Sequence, residues 1–231
     1  MNQRTSAIGV GSQPVSGQGA AVAVRLREFL ALPWLEKTQR LAEFYWLLKT
    51  QYYYRMFWGS IGSKAKLIQP MRLRNVQYMH IGEGVIINKH AFLLTLQTDE
   101  RLVPRMTIGK GSVIGHMNHI TCVREVEIGQ NVLTADRVHI SDHSHGFSDI
   151  TIPVLAQPVT STGTVRIGDG TWIGENVSVL SCHIGRNCVI GANAVVTKDV
   201  PDYSVAVGAP ARVVRRFDPE SRRWDNVESG H

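Results

Sequence analysis

From residue 61 onward an aliphatic residue returns at every sixth position, commonly followed by glycine. A helix repeats near 3.6 residues and a strand at 2, so a sustained period of six calls for a repeat architecture in which short strands are separated by tight bends. In order the slots are Ile61, Leu67, Leu73; Ile81, Ile87, Leu93; Ile108, Ile114, Ile120; Ile128, Thr134, Ile140; Ile167, Ile173, Val179; Ile184, Ile190, Val196. These are six triplets of hexapeptides. Each unit supplies one inward aliphatic, a small residue where the chain turns, and a second small inward residue four positions on, as in IGDGTW, IGENVS, IGRNCV and IGANAV. Three such strands close one triangular turn of a parallel β-helix, and each turn covers the apolar edge of the last.

The breaks in the period carry as much information as the period. Spacing within each triplet is six, but between triplets it runs 8, 15, 8, 27 and 5. Every insertion or deletion therefore falls at one corner, between the third face and the next first face, and that edge is where function is expected. The residue four after each third-face aliphatic agrees: Gln77, Gln97, Arg124, Ser144 and His183 are polar, whereas the first-face equivalents include Ala65, Val85, Val132 and Cys188.

Outside the repeats, residues 1–22 are Gly, Ser, Gln and Ala with little to bury and are expected to form a disordered tail. Residues 23–58 read as a helical N-terminal segment, with Pro33 placed to open a helix and an apolar, aromatic face that packs on the main domain or meets a membrane surface. The β-helix is expected over 59–205, followed by a C-terminal segment and tail over 206–231. Three cysteines without a CxxC pair indicate a reduced protein, with Cys182 and Cys188 as small buried hydrophobes. No secretory leader or spanning run is present in the sequence, so the expected location is the cytoplasm. The net charge of +6 favours an acidic partner, but the cations follow no single helix and do not alternate with aromatics. A phosphate-bearing ligand fits better than nucleic acid.

The run IGDGTWIGENVSVLSCHIGRNCVIGANAVVTKDVPDYSVAVGAPARVVRRF, with its WIG, IGANAVVTKDVP and AVGAPARVVR elements in order, resembles the C-terminal half of the hexapeptide-repeat acyltransferases. Residues 57–217 carry the likeness, and the upstream FWGSIGSKAKLIQPMRLRNVQYMHIGEGVIINKHAF is similar to the start of the coil in sugar and polysaccharide O-acetyltransferases. The resemblance implies an all-β, left-handed parallel β-helix of about six triangular coils, acetyl-coenzyme A as co-substrate, no metal, and a homotrimer with sites between subunits. Handedness comes from the resemblance alone, because a period of six does not encode it.

In the galactoside and maltose O-acetyltransferases the catalytic histidine follows the pattern NVxIxxxVxIxxxxH, and NVLTADRVHISDHSH places His145 there. His145 also stands five residues past Ile140, at the start of the longest corner excursion. An imidazole can take a proton from an acceptor hydroxyl near neutral pH and pass it to a leaving thiolate. Asp142 and Asp149 are candidates to orient that imidazole or contact substrate, or are turn-forming carboxylates. His143 is a candidate wall of the acceptor pocket. Asn118 fills a normally small inward slot, either as a buried hydrogen-bonded amide or as an acceptor contact.

Zinc is the competing reading, because HISDHSHGFSD concentrates three histidines and because His119 and His139 can stack on consecutive turns. In the carbonic anhydrases that the same helix also builds, two metal histidines lie five apart, whereas His116 is followed five later by Thr121. The hexad register, moreover, puts His139, His143 and His145 at three separate places on the coil.

For the coenzyme, the resemblance transfers contacts to Ala192 of IGANAV, Thr197 and Lys198 of VTKD, Arg212 and Arg215 of ARVVRR, and Trp172 before the IG of its hexad. Lys and Arg at the end of the coil suit the phosphates of coenzyme A. Glu175 departs from the family, which commonly has a small hydroxyl residue there, and VLSCHIG is one residue short. The expected function is acetyl transfer from acetyl-coenzyme A to a hydroxyl of a sugar or glycan acceptor. An amino-sugar N-acetyltransferase is the nearest alternative, and a zinc carbonic anhydrase or a trimeric scaffold are the remote ones. The 146–164 loop is expected to cover the site, with peripheral membrane contact through the N-terminal helix.

Overall fold

The computed structural model describes residue 24 and residues 26–227; the expected 1–22 tail and the last residues, 228–231, lie outside the described residues. The chain divides into two units, Met1–Glu43 and Phe44–His231. Pro33 stands immediately before a helix, α1 (Trp34–Leu48), that runs across this boundary and buries none of its residues. The stretch read as one helical segment, 23–58, is therefore shared between the two units.

In the second unit the hexads form three stacks of parallel strands. The first face holds Ser60–Ile61, Met79–Ile81, Arg105–Ile108, Glu125–Ile128, Val165–Ile167 and His183–Ile184. The second face starts with Lys66–Leu67 and rises through Ile86–Ile87, Val113–Ile114, Leu133–Thr134 and Trp172–Ile173 to Val189–Ile190. The third holds Arg72–Arg74, Phe92–Thr95, His119–Cys122, His139–Ser141, Ser178–Leu180 and Val195–Val196. The inward aliphatics are register partners rung by rung: Ile61, Ile81, Ile108, Ile128, Ile167 and Ile184 on the first face, and Leu73, Leu93, Ile120, Ile140, Val179 and Val196 on the third. All but Leu73 are buried, and they make the core of this unit.

The bends have a fixed design. The third residue after each first-face aliphatic is left-handed: Lys64, Gly84, Gly111, Asn131, Gly170 and Asn187. The second-face bends place His90, Met117, Arg137, Asn176 and Asn193 there. A side chain with a Cβ costs about 1–2 kcal/mol in that region, so the expectation of a small residue at each turn holds better at the first bend than at the second. Glycine directly after the aliphatic answers a different need, close stacking of turns. A Cβ on Gly168 would lie 2.5 Å from the Arg186 backbone nitrogen of the next turn.

Two irregular slots explain each other. Thr134, in an aliphatic position, accepts a bond from the Gly115 amide at 3.0 Å and from Asn118 Nδ2 at 2.8 Å through its hydroxyl oxygen. Asn118 Nδ2 also donates to the Ala135 carbonyl, and its Oδ1 accepts from the Val138 amide.

The coil is closed at both ends. At the start, a π-helical turn (Lys49–Tyr53) and a short 3-10 turn (Tyr54–Met56) carry groups that bond the terminal rung. Thr50 Oγ1 accepts from the edge amide of Leu67 at 2.9 Å, and Gln51 Nε2 donates to the carbonyls of Gly62 and Ala65 at 3.1 Å. Edge groups left open would invite pairing with other chains. At the far end Ser204–Val207 adds a parallel strand to the second face, and Arg212–Asp218 and Arg223–Asn226 extend it antiparallel. The coil thus runs past the expected limit at residue 205.

Candidate active site

The 27-residue gap between Ile140 and Ile167 opens at the third corner as an antiparallel ribbon, His143–His145 against Val159–Ser161. His145 faces Val159 in register and is exposed; His143, two residues earlier on the same side of the strand, has a side chain only 13% exposed. The His143 ring is anchored: its Nδ1 shares a hydrogen bond with Ser141 Oγ at 2.9 Å and lies 3.6 Å from the Asp142 carboxylate. Ser141 was not singled out from sequence, since a serine beside a histidine is too common to signal by itself.

Asp142 corrects the expectation that it contacts substrate. It is fully buried, and its carboxylate accepts the Val123, Arg124 and Glu125 amides at 2.7, 2.7 and 2.8 Å. Its own carbonyl accepts from Thr162 on the returning arm of the excursion at 3.0 Å. It is the clamp at the root of the loop. Asn118 is corrected in the same way: fully buried, with its amide bonded inside the core, it is the structural alternative of the two that the sequence left open. The Asp149 carboxylate accepts from the Thr151 hydroxyl and amide, which hold it below the usual value.

The hexad register sets the clustered histidines apart, and the strands carry them on different elements: His139 on the third face, His143 and His145 on the ribbon. His119 and His139 are register partners with ring centroids 5.2 Å apart and edge-to-face, and Phe92 continues the row at 5.3 Å from His119. Burial comes first in holding both imidazoles below the ordinary histidine value; His143 acts on each of them and His119 on His139. Among the described residues no group of three or more His, Cys, Asp or Glu side chains could hold a metal ion. Phe92, His119 and His139 thus form one row of rings along the third face.

The loop beyond His145 is fixed by Gln157, which is 8% exposed. Its Nε2 donates to the Asp149 and Ile152 carbonyls at 2.8 and 3.2 Å, and the Gly146 amide donates to the Pro158 carbonyl at 2.8 Å. The tip exposes Phe147, Ile150 and Leu155. No sequence period reaches this loop, and Gln157 was missed for that reason.

The residues expected at the coenzyme fall into two places. Lys198 and Arg212 line one cleft of about 220 Å³ with Asp199, Val200, Ala211 and Val213, and Thr197 precedes Lys198 at the same corner. Trp172 and Ala192 belong to the second face and its following bend, where Trp172 is 50% exposed and Ala192 backs onto Gly174 of the turn below. Arg215 is paired with Val205 across the terminal extension and does not line the Lys198 cleft. The carboxylate of Glu175 is not bare: Arg137 of the preceding turn forms an ion pair with it and donates to Asn176 Oδ1 at 2.8 Å. That partner was legible once the turns are aligned, because Thr134 and Ile173 are register partners.

Residues 164–198 match the model of the bacterial transferase hexapeptide (six repeats). A protein of Mycobacterium tuberculosis named as a probable acetyltransferase is 42% identical over 140 residues, which are 60% of this chain and 42% of that protein. WbbJ of Escherichia coli, whose assigned name is that of a lipopolysaccharide-biosynthesis O-acetyl transferase, is 36% identical over 117 residues, 47% of this chain and 59% of its own length. The chain thus spans about half the length of these curated relatives. Among solved structures, the N-acyltransferase AntD from Bacillus cereus, in complex with dTDP and 3-hydroxybutyryl-CoA, matches 74% of this chain and 90% of its own at a TM-score of 0.60 and 19% identity. That likeness is one of fold.

Proposed function

We propose that this chain, a homologue of the hexapeptide-repeat acetyltransferases, winds as a left-handed β-helix of about six coils and moves acetyl from acetyl-coenzyme A to a hydroxyl of a sugar or glycan acceptor. The observation that carries the reading is the position of His145: an exposed imidazole on a ribbon clamped by Asp142, at the one corner where the repeat is interrupted at length. His145 Nε2 or Nδ1 takes the proton of the acceptor hydroxyl as its oxygen attacks the thioester carbonyl, and the imidazolium returns the proton to the departing thiolate. His143, held by Ser141, together with the His139 and His119 rings, forms the adjoining wall for the acceptor.

Two cations at one cleft, Lys198 and Arg212, suit the phosphates of the coenzyme, with Thr197 beside them. Trp172 and Ala192 reach a co-substrate only if it extends along the second face, and Arg215 serves there as a more distant cation. The outward row of that face is apolar over several rungs, Ile86, Val113, Leu133, Trp172, Val189 and Val205, which suits subunit contact in a homotrimer. The working location in this reading is the cytoplasm; among the described residues no helix is long and apolar enough to cross a membrane.

The test is thiol release from acetyl-coenzyme A with a panel of sugars and amino sugars. His145→Ala is expected to lose roughly 10²- to 10⁴-fold in kcat. Wild-type turnover in that variant would remove His145 as the base, and turnover confined to amino sugars would move the reading to N-acetylation.

A further inference from the structure

Residues 44–82 contain six Lys and Arg and no Asp or Glu, so the whole formal net charge of +6 is accounted for there; elsewhere 19 cations meet 19 carboxylates. The fold gathers these six at one end of the coil. Lys49 and Arg55 lie in the capping turns, and Lys64, Lys66, Arg72 and Arg74 lie on the terminal rung, whose strands end all three sheets. Arg55, Arg72 and Arg74 are exposed and make no ion pair among the described residues. Lys49 sits over the Tyr45, Trp46 and Tyr54 rings at 5.9, 4.8 and 5.5 Å. Glu83, the next carboxylate after the stretch, pairs with Lys110 at 3.0 Å and also bonds Ser63 and faces Lys64 of the terminal rung, so it offsets part of the charge at Lys64 and leaves the three arginines untouched.

The same end exposes its largest apolar side chains. Tyr52 is 74%, Met56 68%, Phe57 56% and Met71 65% exposed, with Tyr53 beside them. The capping turns spend Thr50 and Gln51 on the coil's edge and turn these rings outward. Aromatic and thioether side chains interleaved with cations, in a stretch of sequence without Asp or Glu, match the boundary between anionic headgroups and acyl chains.

We propose that this end of the coil docks on an anionic lipid surface, with Tyr52, Met56 and Phe57 inserted at the headgroup level and Arg55, Arg72 and Arg74 on the phosphates. The surface is the capped end of the β-helix itself, and the docking is independent of which acceptor the enzyme uses.

The experiment is co-sedimentation of the full chain with vesicles of 30% phosphatidylglycerol in phosphatidylethanolamine, and with phosphatidylcholine alone. Binding to the anionic vesicles is expected, weakening as sodium chloride rises from 0.05 to 0.5 M. Arg72→Gln with Arg74→Gln is expected to lower the partition coefficient roughly 25-fold, and Met56→Ser with Phe57→Ser to abolish what binding survives high salt. Both pairs are surface changes whose folding is checked by circular dichroism, and the arginine pair should leave thiol release with a soluble acceptor unchanged. Equal binding to phosphatidylcholine, or no loss in the arginine pair, overturns the proposal. So does a fall in oligomer mass in either double variant without lipid binding, which would make the face a subunit contact, or equally tight binding to duplex DNA, which would make it a general polyanion site.

Discussion

At the residue scale the recurrent lesson is that polar groups in this coil serve the backbone before they serve a substrate. Asn118 stood out as a polar residue in an inward slot and Asp142 as a carboxylate close to His145, and both are fully buried and spent on hydrogen bonds to the coil. Replacing Asp142 by Ala takes the acceptor from three amides at the root of the excursion, that of buried Val123 among them. The expected loss is roughly 3 to 5 kcal/mol, read as a lower urea midpoint, with His145 activity falling in parallel because the ribbon loses its clamp. His145 itself was legible from motif and register together, whereas the anchoring of His143 by Ser141 depends on a local turn that no spacing encodes. His119 and His139 make a second prediction. Both are held below their ordinary value of 6.5 in the folded chain, so above that pH neither state gains a proton and the pair adds no pH dependence. As pH falls below about 6.5 the unfolded chain binds protons first, and stability declines. Thermal melts between pH 7.5 and 5 should show this, and His119→Phe with His139→Phe should flatten the curve. The buried thiols are expected to be inert: burial, with Asp142 beside it, pushes Cys122 far up, and burial takes Cys182 to about 11.

At the scale of elements, the hexads were readable because each side chain either enters the core or leaves it, and a six-residue period admits few registers. All six inward triplets of the sequence occupy the expected stacks, including Thr134, whose hydroxyl is matched to Asn118. The tightness of stacking makes Gly168 a sensitive point, since its neighbour at 2.5 Å is backbone and cannot rotate away. Gly168→Ala should lower the melting temperature by several degrees, while the chemically equal Gly84→Ala meets open space and is penalised only for its left-handed backbone, φ +67°. The capping turns were the part that periodicity could not supply. Residues 49–56 read simply as more helix; their role follows from Thr50 and Gln51 reaching a specific amide and two carbonyls of the first rung.

At the scale of the whole molecule, composition reported a charge of +6 but not its address, and the address is what ties charge to the capped end. The second face contributes an apolar row and the third corner the long excursion that bears His145, so the surfaces proposed for subunit contact, catalysis and lipid lie on separate parts of the same coil. The confinement of every length change to that third corner has a practical corollary for engineering. A short peptide spliced between Gln97 and Val103, inside the 15-residue gap, should leave melting temperature and far-ultraviolet dichroism close to wild type. One extra residue between Ile173 and Val179 should instead swap inside for outside along the following strand and leave the chain insoluble. The prism behaves as a ruled column: two of its margins set the line spacing, and only the third accepts new text.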